Sequence, residues 1–430
     1  MALKDTFCSS PWIHAKITHN GQFQYCRWQV EKNPKLELSS NIHKIEPIEF
    51  FRGTMSLVRQ QMLNGNNINE CQECYQSDQY NKISGRQRQL LKVGVTVSDF
   101  EKTLLSSPIR SELEYSQNNN GETNYMPIDW QVDLGNYCNG SCVYCTPEYS
   151  SSLASEFKKL GFIKEVPKKA WTEYPELVDK FINTLKQTKH LAYVHFLGGE
   201  TLITPAFKKI LQALIDNQLS TQISIGFTTN LTVWNQEIVD MLTHFKEVNL
   251  GMSVECFHPV NDYVRYPSLI EDVTTITKKW ITIGKELGWL MQFRITPTNL
   301  TILHITSLYD FAYQNQIAVE SCNFLNEPTY MRVTVLPMDQ REEALQKLKK
   351  WVYDHDQISE KIVNTRDPTY AQSQVVQDAK SYINYLENEP YETEKLPELV
   401  SYLKKLESSR NNSILNYLPE YENILRSAGY

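Results

Sequence analysis

The chain has 430 residues, and 43 Lys and Arg against 50 Asp and Glu give a net charge of −7. Hydrophobic residues make up 41% and aromatics 11%, too many for a disordered chain, and the length fits two or three domains better than one small core. With a mean hydropathy of −0.44 and no apolar run near the roughly 18 residues that cross a bilayer, no membrane partner is expected. The acidic balance argues against a protein built to grip nucleic acid.

Residues 1–127 carry Cys8, Cys26 and the pair Cys71-Gln-Glu-Cys74, and end in the turn-rich stretch SQNNNGETNY, read as a linker. The start, MALKDTFCSSPW, has no basic stretch followed by an apolar one, so no secretory signal is expected and the expected location is cytoplasmic. Clustered thiols in a reducing compartment point to metal or iron–sulfur ligands rather than disulfides. Four thiolates close a metal site, and at this point both zinc and a four-iron cluster remain open. His14 and His19 read as packing or hydrogen-bonding residues, and Trp12 as a ring over the cysteine loop.

Residues 128–337 alternate strand and helix patterns. Strands are expected at 128–135, 191–197, 222–227, 248–255, 291–297 and 330–337. Helices are expected near 175–187, after Thr204-Pro205, after Asn235 and near 268–287. The alternation implies a parallel sheet with helical crossovers. Six units fit better than eight, so the expected fold is α/β, a partial (β/α)6 barrel. The small N-terminal cysteine domain precedes it, and residues 338–430 form a helical cap, with stripes such as Leu399, Tyr402, Leu403 and Leu406. Chemistry in such folds sits at the carboxyl ends of the strands.

At the end of the first barrel strand lies Cys138-Asn-Gly-Ser-Cys142-Val-Tyr-Cys145. Three thiolates cannot cap four irons, and an open metal position marks a catalytic rather than a structural site. Near the end of the fourth strand, Glu255 is a candidate general base or a structural salt-bridge partner, and Cys256 a candidate hydrogen-atom donor or a buried small hydrophobe. Cys322 reads as a core residue.

The C-x-x-x-C-x-x-C motif, with Tyr144 before its last cysteine and Gly198-Gly199-Glu200 at the next strand end, resembles the radical S-adenosylmethionine (SAM) superfamily. The resemblance implies a [4Fe-4S] cluster on Cys138, Cys142 and Cys145, with SAM chelating the open iron. It implies that Gly198, Gly199 and Glu200 bind the methionyl amino group and that Tyr144 contacts adenine. Asn230 and Ser253 match positions that contact ribose or carboxylate, and Arg265 matches an arginine for the methionyl carboxylate. The N-terminal set, with Cys-x-x-Pro-Trp, Gly21 and Cys26, is similar to the auxiliary-cluster domains called twitch or SPASM. Those usually follow the radical domain, whereas this one precedes it. A second [4Fe-4S] cluster on Cys8, Cys26, Cys71 and Cys74 is implied.

The implied activity is reductive cleavage of SAM to a 5′-deoxyadenosyl radical that takes a substrate hydrogen atom. Net oxidation or cross-linking of a peptide or small metabolite follows if the auxiliary cluster accepts the remaining electron. A low-potential donor such as flavodoxin or ferredoxin is the expected partner. The competing readings are a mutase or epimerase using the same radical, and a non-catalytic iron–sulfur or zinc sensor.

Overall fold

The computed structural model describes residues 3–27, 40–79, 84–321, 324–356 and 367–430; Cys322 lies outside them. Among the described residues eight strands form one sheet: β1 (His14–Ile17), β2 (Phe23–Gln24), β3 (Asp129–Asp133), β4 (Tyr193–Leu197), β5 (Ser224–Thr229), β6 (Glu247–Ser253), β7 (Leu290–Ile295) and β8 (Ala318–Ser321). Their order is β2-β1-β3-β4-β5-β6-β7-β8. From β3 to β8 all pairings are parallel, which gives the six strands of a partial barrel. The edges are β2 and β8, so the sheet stays open.

The sixth strand is not where its sequence pattern placed it. Residues 330–337 form two 3-10 turns, Thr329–Met331 and Val333–Val335, instead of a strand. Helix Ile305–Asn315 ends at Gln316 in a left-handed conformation and the chain enters β8 two residues later. The sheet edge is therefore already filled. The β-branched run at 333–335 is buried by side-chain packing, and its neighbours bond to a turn, with Asn299 N–H donating to the Met331 carbonyl.

The helices cover the outer face of the sheet through aromatic contacts. Trp130 meets Phe181 of helix Pro175–Gln187 at 5.2 Å between ring centroids, and Phe196 meets Phe207 of helix Pro205–Asp216 at 5.0 Å. Phe227 lies 5.9 Å from Trp280 of helix Ile270–Glu286. Each such ring, fully buried, contributes roughly 1.5–3 kcal/mol. Period-two alternation then turns Asp129, Gln131 and Asp133 of β3, and His195 of β4, toward the concave side. The lumen is polar.

The expected boundary at 127/128 is crossed by this sheet. β1 pairs parallel with β3, with Lys16 opposite Gln131, and β2 pairs antiparallel with β1. At the base of β1, His14 Nδ1 lies 3.3 Å from Asp129 Oδ1, a packing partnership of the kind expected for this histidine. The stretch 116–125 is not a slack linker. Ser116 Oγ accepts from the Trp12 indole at 2.9 Å and donates to the Glu122 carbonyl at 2.7 Å. The buried Glu112 carboxylate accepts from Thr123 and from Asn124 N–H, both at 2.5 Å.

Fully buried Arg59 ties these segments together. Its guanidinium donates to the carbonyls of Pro11 (2.9 Å), Gly121 (3.1 Å), Arg52 (3.3 Å) and Phe51. Burial pulls its pKa down to about 9, against the pull of Glu112, so it remains a cation at neutral pH. Arg59→Met strands these buried acceptors, and each unsatisfied one costs about 1–3 kcal/mol. The expected outcome is a clearly lower thermal unfolding midpoint, measured by circular dichroism.

Candidate active site

The three-cysteine loop leaves the carboxyl end of β3 and faces a cavity of about 360 Å³. Cys138, Cys142, Tyr144 and Cys145 line it, together with Gly198, Gly199, Asn230, Ser253 and Arg265. The structure thus brings together residues that lie 127 positions apart, Cys138 to Arg265. A second cavity of about 220 Å³ shares Cys142, Asn230 and Arg265 with the first.

Gly198 and Gly199 are needed for a reason other than ligand approach. Gly199 N–H donates to the Gly135 carbonyl at 2.7 Å, and Glu200 N–H to the Tyr137 carbonyl at 2.9 Å. A Cβ on Gly199 would sit 2.3 Å from the Tyr137 carbonyl oxygen, and Gly198 has φ +140°. The glycines let the end of β4 press against the root of the cysteine loop. Glu200 also departs from its expected partner. It is fully buried, and its carboxylate accepts from Thr229 Oγ1 (2.8 Å), Asn230 N–H (2.6 Å) and Leu202 N–H (3.2 Å). Burial pushes its pKa up against the pull of these donors. With these three bonds it braces β4 to β5 beneath the rim, and it is not among the cavity-lining residues. Asn230 extends the brace, its Nδ2 donating to Asn139 Oδ1 of the loop at 2.9 Å.

Glu255 is not placed as a general base. It is fully buried, and its Oε1 accepts from Tyr144 Oη at 2.6 Å and from Arg265 Nη2 at 2.6 Å, while Oε2 accepts from Thr296 N–H at 2.7 Å. It is the counter-ion that holds Arg265 and Tyr144 on the cavity wall. Burial pushes the Tyr144 phenol up, so it stays a donor. No described residue accepts from Arg265 Nη1. Cys256 is likewise not placed to give a hydrogen atom. It is fully buried in the apolar core and is absent from the cavity wall.

Two residues from the C-terminal region, which read only as a helical cap, hold the loop from behind. Helix Leu396–Arg410 brings Tyr402 Oη to the Val143 carbonyl at 2.6 Å and Arg410 Nη2 to the Ser141 carbonyl at 2.7 Å. Arg410 also binds Glu156 through Nε (2.9 Å) and Nη2 (2.7 Å) and lies 4.6 Å over the Tyr266 ring. Ser141 N–H in turn donates to the Tyr266 carbonyl at 2.7 Å. A lone Arg in a polar tail carries no periodic signal that would tie it to the cysteine loop.

The N-terminal cysteines also converge. Cys8, Cys26, Cys71 and Cys74 line one pocket with Tyr25, Tyr75 and Arg86. Burial, then Cys26, pushes Cys71 up to about 12, and Cys8 is raised by burial with contributions from all three other thiols. Arg86 is nearly buried and holds Asp78 at 2.5 Å, a cation beside the thiols that the sequence pattern did not flag. Trp12 sits apart from this pocket wall, tied to Ser116.

The donor chemistry suits iron–sulfur clusters. Burial raises Cys138 to about 11 and Cys145 to about 12, so metal must displace thiol protons at neutral pH. Cys142 is raised by burial too. Among the described residues, no group of three His, Cys, Asp or Glu side chains is placed to hold a single metal ion. At the loop, Gly140 leaves space beside Cys138 and Cys142, its missing Cβ lying 3.7 Å from either sulfur.

Residues 132–291 match the Radical SAM superfamily. The chain is 28% identical over 142 residues to the sporulation killing factor maturation protein SkfB of Bacillus subtilis (strain 168), covering 33% of this chain and 29% of that relative. Among solved structures, Streptococcus suis SuiB bound to S-adenosylmethionine is 16% identical, with a TM-score of 0.36, covering 71% of this chain and 64% of SuiB. Native anSMEcpe with bound AdoMet is 15% identical, with a TM-score of 0.39, covering 53% of this chain and 61% of that one. No described helix is long and apolar enough to cross a membrane.

Gly199→Ala forces the end of β4 off the loop, and Arg410→Met releases the loop from behind. Both variants are expected to retain iron about tenfold less well after anaerobic reconstitution, as lost supporting contacts typically do. Iron quantification across a chelator titration measures this, with Arg410→Lys expected to fall between Met and the native residue.

Proposed function

We propose that this chain, whose residues 132–291 match the Radical SAM superfamily, is a radical SAM enzyme that oxidises or cross-links a peptide through reductive cleavage of S-adenosylmethionine. The observation that carries the reading is a loop of three thiols without a fourth, opening on a cavity at the carboxyl ends of β3 to β6. The similarity to SkfB, a maturation protein, supports a peptide over a small metabolite. A flavodoxin or ferredoxin is the proposed electron donor.

Cys138, Cys142 and Cys145 would hold the [4Fe-4S] cluster, and Cys8, Cys26, Cys71 and Cys74 a second one. When bound, the first supplies the electron that splits SAM into methionine and the radical that takes a hydrogen atom, and the second is suited to accept the electron left on the substrate. The chain itself orients the cofactor. The Gly198 and Gly199 backbone offers acceptors to the methionyl ammonium. Arg265, fixed by Glu255 through Nε and Nη2, presents Nη1 to the methionyl carboxylate. Tyr144 packs against adenine, while Asn230 and Ser253 reach the ribose. The Arg410 and Tyr402 contacts keep the loop in place while the ligand exchanges.

The test is iron counting joined to product analysis. Wild-type enzyme should bind about eight irons. Alanine at Cys138, Cys142 and Cys145 should remove about half of them and all 5′-deoxyadenosine release. Alanine at Cys71 and Cys74 should also lower iron by about half, abolish oxidised product, and leave 5′-deoxyadenosine detectable. Oxidised product at normal yield from the second variant would show that the N-terminal site does not accept the electron.

Glu255→Gln removes the counter-ion that aims Arg265. SAM affinity is expected to weaken by about tenfold, since charge-assisted bonds contribute roughly 1.5–3 kcal/mol. Equilibrium binding to the reconstituted protein measures it.

A further inference from the structure

The reading above leaves one wall of the cavity without a task. Lys16 of β1, Gln131 and Asp133 of β3, and Thr228 of β5 line the cavity together with the residues assigned to SAM. Asp133 is 3% exposed. The Gln131 side chain interacts with its carboxyl, yet no described donor lies within hydrogen-bond distance of its Oδ1, nor has Thr228 Oγ1 a partner among the described residues. Lys16 Nζ lies 3.9 Å from Asp133 Oδ2, too far for a hydrogen bond, and its ammonium makes none among the described residues. A buried carboxylate oxygen without a donor costs free energy, and a site that keeps one is arranged for a donor that arrives from outside.

We infer that Lys16 and Asp133 form a substrate-binding subsite that grips a peptide backbone, Asp133 accepting from an amide N–H and Lys16 donating to a carbonyl oxygen. This rests on the function proposed above and names the substrate class for that site. The two groups stand side by side on adjacent parallel strands, as a peptide presents its N–H and C=O side by side along one edge. Thr228 adds a hydroxyl able to donate or accept, as a neighbouring peptide unit requires. None of these groups reads a side chain, so the subsite fixes the backbone and leaves sequence preference to other walls.

Two packed rings lie beneath this wall, on the border of another cavity of about 1060 Å³. Tyr193 Oη lies 2.9 Å from His195 Nδ1, and a Cβ on Gly226 of β5 would strike both, at 2.0 and 2.3 Å. The rim lies at the other end of the cavity. There, the turn after β1 places His19 against Tyr149, with ring centroids 5.7 Å apart, and Tyr149 lines the same cavity. The N-terminal module thus supplies both Lys16 and part of the rim.

The probe is a pool of uniformly deuterated peptides, digested from protein of cells grown in deuterium oxide. Parallel pools contain deuterated sugars and deuterated nucleosides. Reconstituted full-length enzyme is given each pool with SAM and reductant, and the deuterium carried per 5′-deoxyadenosine is read by mass spectrometry. The expected result is transfer from the peptide pool alone. It should fall about tenfold in Asp133→Asn and in Lys16→Met, the loss of one charge-assisted bond, and recover in Lys16→Arg. Iron content at the wild-type level verifies that each variant is folded. Transfer from only a non-peptide pool, no transfer from any pool, or unchanged transfer in both variants overturns the inference. A variant that loses iron together with transfer marks a structural role and overturns it as well. Wild-type enzyme that releases no 5′-deoxyadenosine overturns the radical reading itself, and is distinguishable from all of these.

Discussion

A metal site with one ligand too few keeps its shape only if the protein, not the metal, fixes the positions of the others. In this chain that constraint falls on residues 135–145. Their backbone is held below by Gly199 and Glu200 N–H groups, at the side by Asn230, and behind by Arg410 and Tyr402. These five contacts end on backbone atoms or on the loop's own amide side chain, so most of the hold on the loop does not pass through the cysteine sulfurs, although Gly140 N–H donates to Cys138 Sγ at 3.4 Å. The loop can then lose or gain a ligand on its open side without refolding. Arg410 also places a fixed cation near Cys142, where it counters the effect of burial on the thiol.

The same requirement explains the inverted polarity of the sheet. A barrel interior filled with branched apolar side chains would leave no room for cofactor and substrate. Here the large rings, Trp130, Phe196 and Phe227, lie on the outer face and carry the packing, while Asp133, Thr228 and Ser253 face inward. Small residues make the polar lumen possible. A Cβ on Gly251 of β6 would lie 2.8 Å from the Arg294 side chain of β7, so glycine there lets a long cation cross the interior. Polar groups in that space are tolerable because most find partners, and those that do not, such as Asp133 Oδ1, sit where a ligand can reach them.

Much of this was legible in the sequence because it rests on local periodicity. Helix Pro175–Gln187 and five of the six barrel strands follow from apolar spacing, and Asn235 caps its helix as its position predicts, accepting from Ile238 N–H at 3.3 Å. The sixth strand misled because Val333 and Val335 have strand-forming side chains, whereas edge availability is a tertiary fact. The motif residues converge, but their tasks differ. Glu200 reads by resemblance as a partner of the methionyl ammonium and Glu255 as a general base or salt-bridge partner, and in the structure both are buried against protein donors. Arg410 and Lys16 were invisible because each acts across more than 100 residues of chain, where no spacing rule applies.

The early position of the cysteine module has a topological cause. β3 has β4 on one side, so a module that precedes the barrel and pairs with its first strand joins at the other edge of β3. β1 occupies that edge in parallel register, and residues between β2 and β3 make the return crossover with helices such as Ser56–Leu63 and Arg110–Asn118. A module placed after the barrel would have to compete for β8, which helix Tyr370–Asn388 covers. The N-terminal route therefore does two things at once. It anchors the four-thiol pocket to the strand that leads into the three-thiol loop, and it delivers Lys16 to the wall of the cavity that loop faces.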